Sequence, residues 1–215
     1  MVRAILDGRK TQTRRVLKPQ PEWSEGGVIR DAAGGQMDYI EPHWSVQPKP
    51  AYAVGDVLWV RESFADTVGM GFDKRYHYAA DVKPGSESDQ IRKDYGVKWK
   101  PSIHMPRAAS RITLRVTAVK VERLQDISEE DAKAEGVTYE APTKEDYDWY
   151  ETFCEENGGD PTAPMDGVWK CEGVKGWGPT PETMYRVIWE SINGPGSWDA
   201  NPWVVAYSFE RVLPK

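Results

Sequence analysis

Residues 111 to 120, Arg-Ile-Thr-Leu-Arg-Val-Thr-Ala-Val-Lys, alternate apolar and polar side chains. A period of two puts Ile112, Leu114, Val116 and Ala118 on one face and Thr113, Arg115 and Thr117 on the other, which predicts a half-buried strand. A second alternating segment lies near the other end of the chain, where Trp203, Val205, Tyr207 and Phe209 share a parity that Arg211 continues. Between the two ends, the Gly55-Asp56 turn feeds a run of β-formers and predicts a strand over residues 57 to 62, with another near 76 to 79. Sheet-forming segments that are not separated by regular helices favour antiparallel pairing.

The helices are short and marked at their ends. Residues 2 to 8 predict one that stops at Gly8, and Ser128 followed by three acids predicts another over 129 to 135, stopped by Gly136. Glu135 falls in the last turn of that helix, where an acid opposes the dipole by about 0.3 to 1 kcal/mol. Residues 143 to 157 read as an amphipathic helix with Tyr147, Tyr150, Phe153 and Cys154 on one side, closed by Gly158-Gly159. Thr180-Pro181 opens a further one, with Met184, Val187, Ile188 and Ile192 as its buried face. The fold class that follows is α+β: a small curved sheet or barrel with peripheral helices, in one domain of residues 1 to 215. The Pro- and Gly-rich stretches at about 19 to 50, 66 to 97 and 139 to 179 read as long loop insertions. No Gly-rich phosphate loop, βαβ unit or internal repeat is evident.

The 16 Pro, 19 Gly and 10 Trp describe a loop-rich globular chain with bulky anchors. Its apolar runs are short, which predicts no membrane span, and a cytoplasmic location is the expectation. Cys154 and Cys171 are neither a disulfide framework nor a zinc pattern, and no metal or other cofactor is expected. The net charge of -6 disfavours a general nucleic-acid coating protein. The charge is nonetheless uneven. Arg3, Arg9, Lys10, Arg14, Arg15 and Lys18 face Asp7 alone within residues 1 to 20, and residues 91 to 120 are also basic, whereas residues 121 to 160 are strongly acidic. Solvated faces of opposite sign, or a basic groove for a nucleotide or RNA, would both give this pattern.

The chemistry concentrates in residues 5 to 15, Ile-Leu-Asp-Gly-Arg-Lys-Thr-Gln-Thr-Arg-Arg. Lys10 and Thr13 share a face on any helical or turn-like backbone, so an amine there reaches a hydroxyl, and an amine-activated hydroxyl is a nucleophile. This segment, the Gly-Asp-Val-Leu-Trp-Val-Arg-Glu stretch at 55 to 62, the Ile-Ser-Glu-Glu-Asp-Ala-Lys-Ala-Glu-Gly helix at 127 to 136 and the Asn-Pro-Trp-Val strand at 201 to 204 occur in the order found in the ASCH domain family, which the chain resembles. The larger, prophage-type members look closest.

The resemblance implies a PUA-like barrel around an open cleft, and similarity to small bacterial amidohydrolases that remove the acyl group from N4-acetylcytidine. In those enzymes a lysine and a threonine of a Gly-Arg-Lys-Thr-x-Thr segment act with a glutamate of the helix after the central strand; Lys10, Thr13 and Glu135 stand at those positions. The implied chemistry has Thr13 as nucleophile, Lys10 as general base and a nucleoside or nucleobase as substrate. Lysine at its ordinary pKa near ~10.4 is protonated at neutral pH, and a touching Glu135 would favour the ammonium. Arg14, Arg61, Glu62, Ser102 and Arg107 are candidate substrate-binding residues, with Arg61 and Glu62 also readable as a structural ion pair. A PUA-like RNA-binding module, with or without ribonuclease activity, is the alternative.

Overall fold

The structure is a computed structural model, and it describes residues 1–24, 27–30, 36–40, 43–71, 73–157 and 166–212. In chain order the elements are α1 (Val2–Leu6), β1 (Gln12–Val16), β2 (Glu22–Ser24), β3 (Gly27–Arg30), β4 (Gln36–Ile40), β5 (His43–Val46), β6 (Val57–Trp59), β7 (Phe64–Asp66), β8 (Tyr76–Tyr78), α2 (Glu87–Asp94), β9 (Thr113–Arg123), α3 (Glu129–Ala134), β10 (Thr138–Glu140), α4 (Lys144–Asn157), β11 (Val168–Lys170), α5 (Pro181–Asn193) and β12 (Trp203–Val212).

The chain is mixed α+β, built on a curled antiparallel sheet of order β1-β12-β9-β6 that forms half a barrel. β12 lies inside the sheet, and Val204, Val205, Ala206 and Tyr207 are buried in succession because both of its faces are covered. On one face Val205 and Tyr207 pack with Leu17 and Val116. On the other, Val204 joins Leu124, Ile127, Ala132, Met184 and Ile188 beneath α3 and α5. A third cluster, Ile112, Leu114 and Phe209, is closed by Val2, Ile5 and Leu6 of α1.

The alternation of β9 is broken where the sequence had it continue. Ser208 pairs with Ala118 and Phe209 with Val116, which leaves Thr117 as an extra residue. The bulge reverses the phase of the strand, so Val119 and Val121 join Val116 against the core, and Ala118, expected inside, is exposed. The same reversal turns Glu122 towards the face that carries α3.

Other expectations are corrected by the paths of neighbouring segments. The strand at 57 ends at Trp59 and not Glu62, because the chain leaves the sheet for a separate two-stranded pairing of β7 with β8. The stretch at 19 to 50, expected to be loop, pairs its backbone within itself, β2 with β5 and β3 with β4. Ile192 is exposed because the last turn of α5 borders an open cavity. Tyr147 is exposed as well, and the buried positions of α4 include Asp146 and Cys154. Asp146 accepts from the Thr143 amide and from Lys170 of β11. Gly34, Gly35, Gly158 and Gly159 lie outside the described residues.

Candidate active site

The segment that carries Lys10 is pinned at both ends. α1 stops at a left-handed Gly8 (φ 75°), after which the Lys10 amide donates to the Ala4 carbonyl at 2.9 Å and the Thr11 amide to Ala134 at 2.8 Å. These bonds bring residue 10 against the C-terminus of α3, where Ser128 caps the start and Gly136 (φ 98°) ends the turn. The fit is close: a Cβ on Gly136 would lie 3.3 Å from Cβ of Lys10. Lys10 is 7% exposed, and its Nζ donates to the Glu135 carbonyl at 2.9 Å and to Glu135 Oε2 at 2.5 Å. An acid in the last turn of α3 is thus offset by a cation on the same helix end, the favourable sign for that terminus.

Glu135 has further partners on its other oxygen. Arg14 Nη1 donates to Oε1 at 3.3 Å and the Tyr185 hydroxyl reaches it at 3.5 Å. The Arg14 side chain is fully buried and its remaining donors are taken by Glu122 (2.9 Å from Nε), Asp131 (2.7 Å from Nη2) and Gln12 (2.6 Å from Nη1). Burial alone would lower the guanidinium, but the carboxylates of Glu135, Glu122 and Asp131 outweigh it and hold its pKa above the ordinary arginine value. Lys120 closes the outer end of the network at 2.7 Å from Glu122 Oε2, and that bond raises its pKa.

Tyr185 sits against this network with its phenol pKa pushed up, foremost by burial and then by Glu135. Its hydroxyl stays protonated in the fold at a pH where the unfolded chain would release the proton, so the stability it confers is complete below its ordinary value of 10.0 and is lost as pH rises towards the folded value. Tyr185→Phe is therefore expected to move the alkaline unfolding midpoint, followed by circular dichroism, to higher pH. Coincident midpoints for the two proteins would contradict this.

Thr13 is placed differently from the helical spacing argued on the sequence. Residues 12 to 16 are a strand, so Thr13 and Arg15 face one side of β1 while Gln12 and Arg14 face the other. Among the described residues no group hydrogen-bonds to the Thr13 hydroxyl. Lys10, Thr13, Arg14 and Glu135 nevertheless line one cavity of about 910 Å³, together with Trp59 and Tyr207. This is possible because β1 is an edge strand and the cavity runs past its free edge. The ladder parity shows what that edge offers. Phe209 donates to the Thr11 carbonyl and Leu17 donates to Trp203, so the odd residues bond to β12 and the amides of Gln12, Arg14 and Val16 point outward.

The other candidate residues lie farther out. Arg61 also lines the cavity, exposed, with its guanidinium 5.1 Å over the Trp59 ring. Arg107 stacks on the same ring at 5.7 Å, and Ser102 lies in a 3-10 turn nearby in sequence; neither borders the cavity. Glu62 does not pair with Arg61. Adjacent residues of an extended segment point apart, and Glu62 is held instead by Arg111 at 2.9 and 3.0 Å, with Asp81 on the outer side of the same guanidinium. Of the aromatic residues, Tyr76 and Tyr78 border the Phe64 cluster, and Tyr78 donates to Ala109.

Gln12, Glu122, Asp131 and Tyr185 were not singled out on the sequence. A period-two signal was available for Gln12 beside Arg14, and Asp131 stood in the capped first turn of α3; nothing local marked Glu122 before the bulge was known. No cluster of three metal-ligating side chains occurs among the described residues. Compared with known proteins, the chain matches no family model, no curated protein and no solved structure.

Proposed function

We propose that the chain is an ASCH-type, PUA-like domain whose cavity hydrolyses the acyl amide of N4-acylated cytosine compounds, with Thr13 as nucleophile, Lys10 as its base and Glu135 as the proton reservoir. The observation that carries the reading is the buried Lys10–Glu135 contact at 2.5 Å on a cavity wall shared with Thr13. A buried ion pair of this kind is a poor source of stability, because desolvation offsets most of its attraction. Its position beside an open cavity favours a chemical role.

In the proposed reaction the lysine acts as a base through its contact with the glutamate. Passing one proton from Nζ to Oε2 converts the ion pair into a neutral amine and a neutral acid. With substrate bound, the Thr13 hydroxyl gives its proton to Nζ as Oγ1 bonds to the acyl carbon. The amide of Arg14, on the free edge beside the nucleophile, donates to the carbonyl oxygen as charge builds there, a contribution of about 3 to 4 kcal/mol for one such donor. The C–N4 bond then breaks as Glu135 protonates the departing nitrogen, leaving the ammonium and carboxylate as they began. Water adds to the threonyl ester by the same relay, releasing the carboxylic acid and restoring Thr13. Arg14 and Tyr185, both on Oε1, keep the reacting Oε2 turned to Lys10.

The test is incubation of purified protein with N4-acetylcytidine, followed by the ultraviolet change on conversion to cytidine. Turnover by the native chain is expected, with Thr13→Ala reduced by about 10²-fold or more and Thr11→Ala close to native. Equal rates for native and Thr13→Ala proteins would refute the assignment.

A further inference from the structure

Among the described residues the cavity is lined by five cationic side chains, Lys10, Arg14, Arg15, Lys18 and Arg61, and by one carboxylate, that of Glu135. Lys10 and Arg14 are committed to that carboxylate and its neighbours. The other three are not. Among the described residues Arg15 and Lys18, both exposed, make no ion pair, and Arg61 makes one hydrogen bond, a 3.4 Å contact to the Ile103 carbonyl. Elsewhere some basic side chains find acids, as Arg3 does with Glu172, Arg92 and Lys93 with Asp89, Arg111 with Glu62 and Asp81, and Lys170 with Asp146, while others, Lys83 and Arg107 among them, make no ion pair among the described residues. In a chain of net charge -6, a cavity lining in which cations outnumber carboxylates presents a local positive field for an anion.

We propose that the substrate of this cavity is a phosphate-bearing mononucleotide, with Arg15, Lys18 and Arg61 receiving the phosphate. The inference rests on the amidohydrolase reading for the identity of the base and deepens it. A neutral nucleoside gives three cations nothing to bind, whereas a phosphate accepts charge-assisted hydrogen bonds from each, and a guanidinium can meet it with two parallel donors. The position of the cations suits this division. Arg15 lies on β1 two residues from Thr13, Lys18 just beyond the end of that strand, and Arg61 just beyond β6. The side chains that α1 and α5 bring to the lining, among them Val2, Ile5, Ile188 and Ile192, are uncharged, so the three cations share the cavity with an apolar wall.

The test measures binding apart from turnover. Calorimetric titration of the native chain with cytidine, cytidine 5′-monophosphate, cytidine 3′-monophosphate, inorganic phosphate and a short cytidine-containing oligonucleotide is expected to rank one monophosphate first, about tenfold or more above cytidine. That advantage should shrink at high salt and in Arg61→Ala and Lys18→Ala, with Arg61→Lys retaining part of it. Equal affinity for cytidine and both monophosphates would overturn the proposal, and so would tighter binding of the oligonucleotide, which would assign the cations to RNA, or of inorganic phosphate alone.

Hydrolysis is followed in parallel on N4-acetylcytidine and its monophosphates. A monophosphate advantage in binding with no hydrolysis of any acetylated compound leaves the anion site standing and defeats the amidohydrolase reading. Hydrolysis without that advantage does the reverse.

Discussion

Arg14→Met is expected to lower the unfolding free energy by about 3 to 5 kcal/mol, read as a drop in the urea midpoint at unchanged slope. The guanidinium has no exposed surface and bonds to Glu122, Asp131 and Glu135 together with Gln12. Methionine fills similar space but leaves buried Glu122 without the guanidinium and Glu135 with Lys10 as its remaining cation, the circumstance in which breaking an ion pair costs far more than the pair contributed. Arg14→Lys should rescue little, because one ammonium cannot reach three carboxylates that the planar fork spans at once. Adding Glu122→Gln to Arg14→Met should recover part of the loss, since the charge left unpaired is then removed as well. A loss below about 1 kcal/mol for Arg14→Met would mean that water enters the network and screens it.

Lys10→Met separates chemistry from architecture at the neighbouring position. Turnover of N4-acetylcytidine is expected to fall by about 10² to 10⁴-fold in kcat with a much smaller change in KM, because in the proposed reaction the amine acts on the nucleophile and contributes little to holding the base. Stability should fall less than in Arg14→Met: Glu135 keeps Arg14 and Tyr185 on Oε1 after Lys10 is gone. Lys10→Arg discriminates further. A guanidinium can preserve the positive charge at the end of α3 but cannot give up a proton, so this variant should fold better than Lys10→Met and be no more active. Activity in Lys10→Arg comparable to native would mean that the charge, and not the base, is what the reaction needs.

The parts of the fold that were legible in the sequence are those set by local rules. Gly8 and Gly136 end their helices in the left-handed conformation, Ser128 and Thr180 cap theirs through side-chain hydrogen bonds, and the 203 to 209 alternation lies in a strand. The features that were not legible depend on partners distant in the chain. Thr117 reads as one more polar residue in an alternating strand, and only its pairing with β12 makes it a bulge. The stretch at 19 to 50 looks like loop because its strands satisfy their backbone within themselves and leave no long apolar period.

The candidate site shows the same division. Lys10 and Glu135 were singled out from a family resemblance and prove to be in contact, but the other neighbours that hold Glu135 in place, Arg14 and Tyr185, come from β1 and α5. Conversely, an argument from helical spacing joined Lys10 to Thr13, and the strand undoes it while the free edge of β1 brings both to one cavity.

The pairing of β1 with β12 also sets a schedule. Residues 12 to 16 find their sheet only in residues 203 to 212, about as far apart in sequence as two strands of this chain can be. During synthesis β1 must wait for β12 before it has a strand to pair with, and closing so long a loop is slow. Helix α3 with Glu135, and α5 with Tyr185, are made in that interval. The cavity wall is consequently the last thing to be completed, and a nascent or truncated chain lacking β12 carries every proposed reacting group without the surface on which they meet.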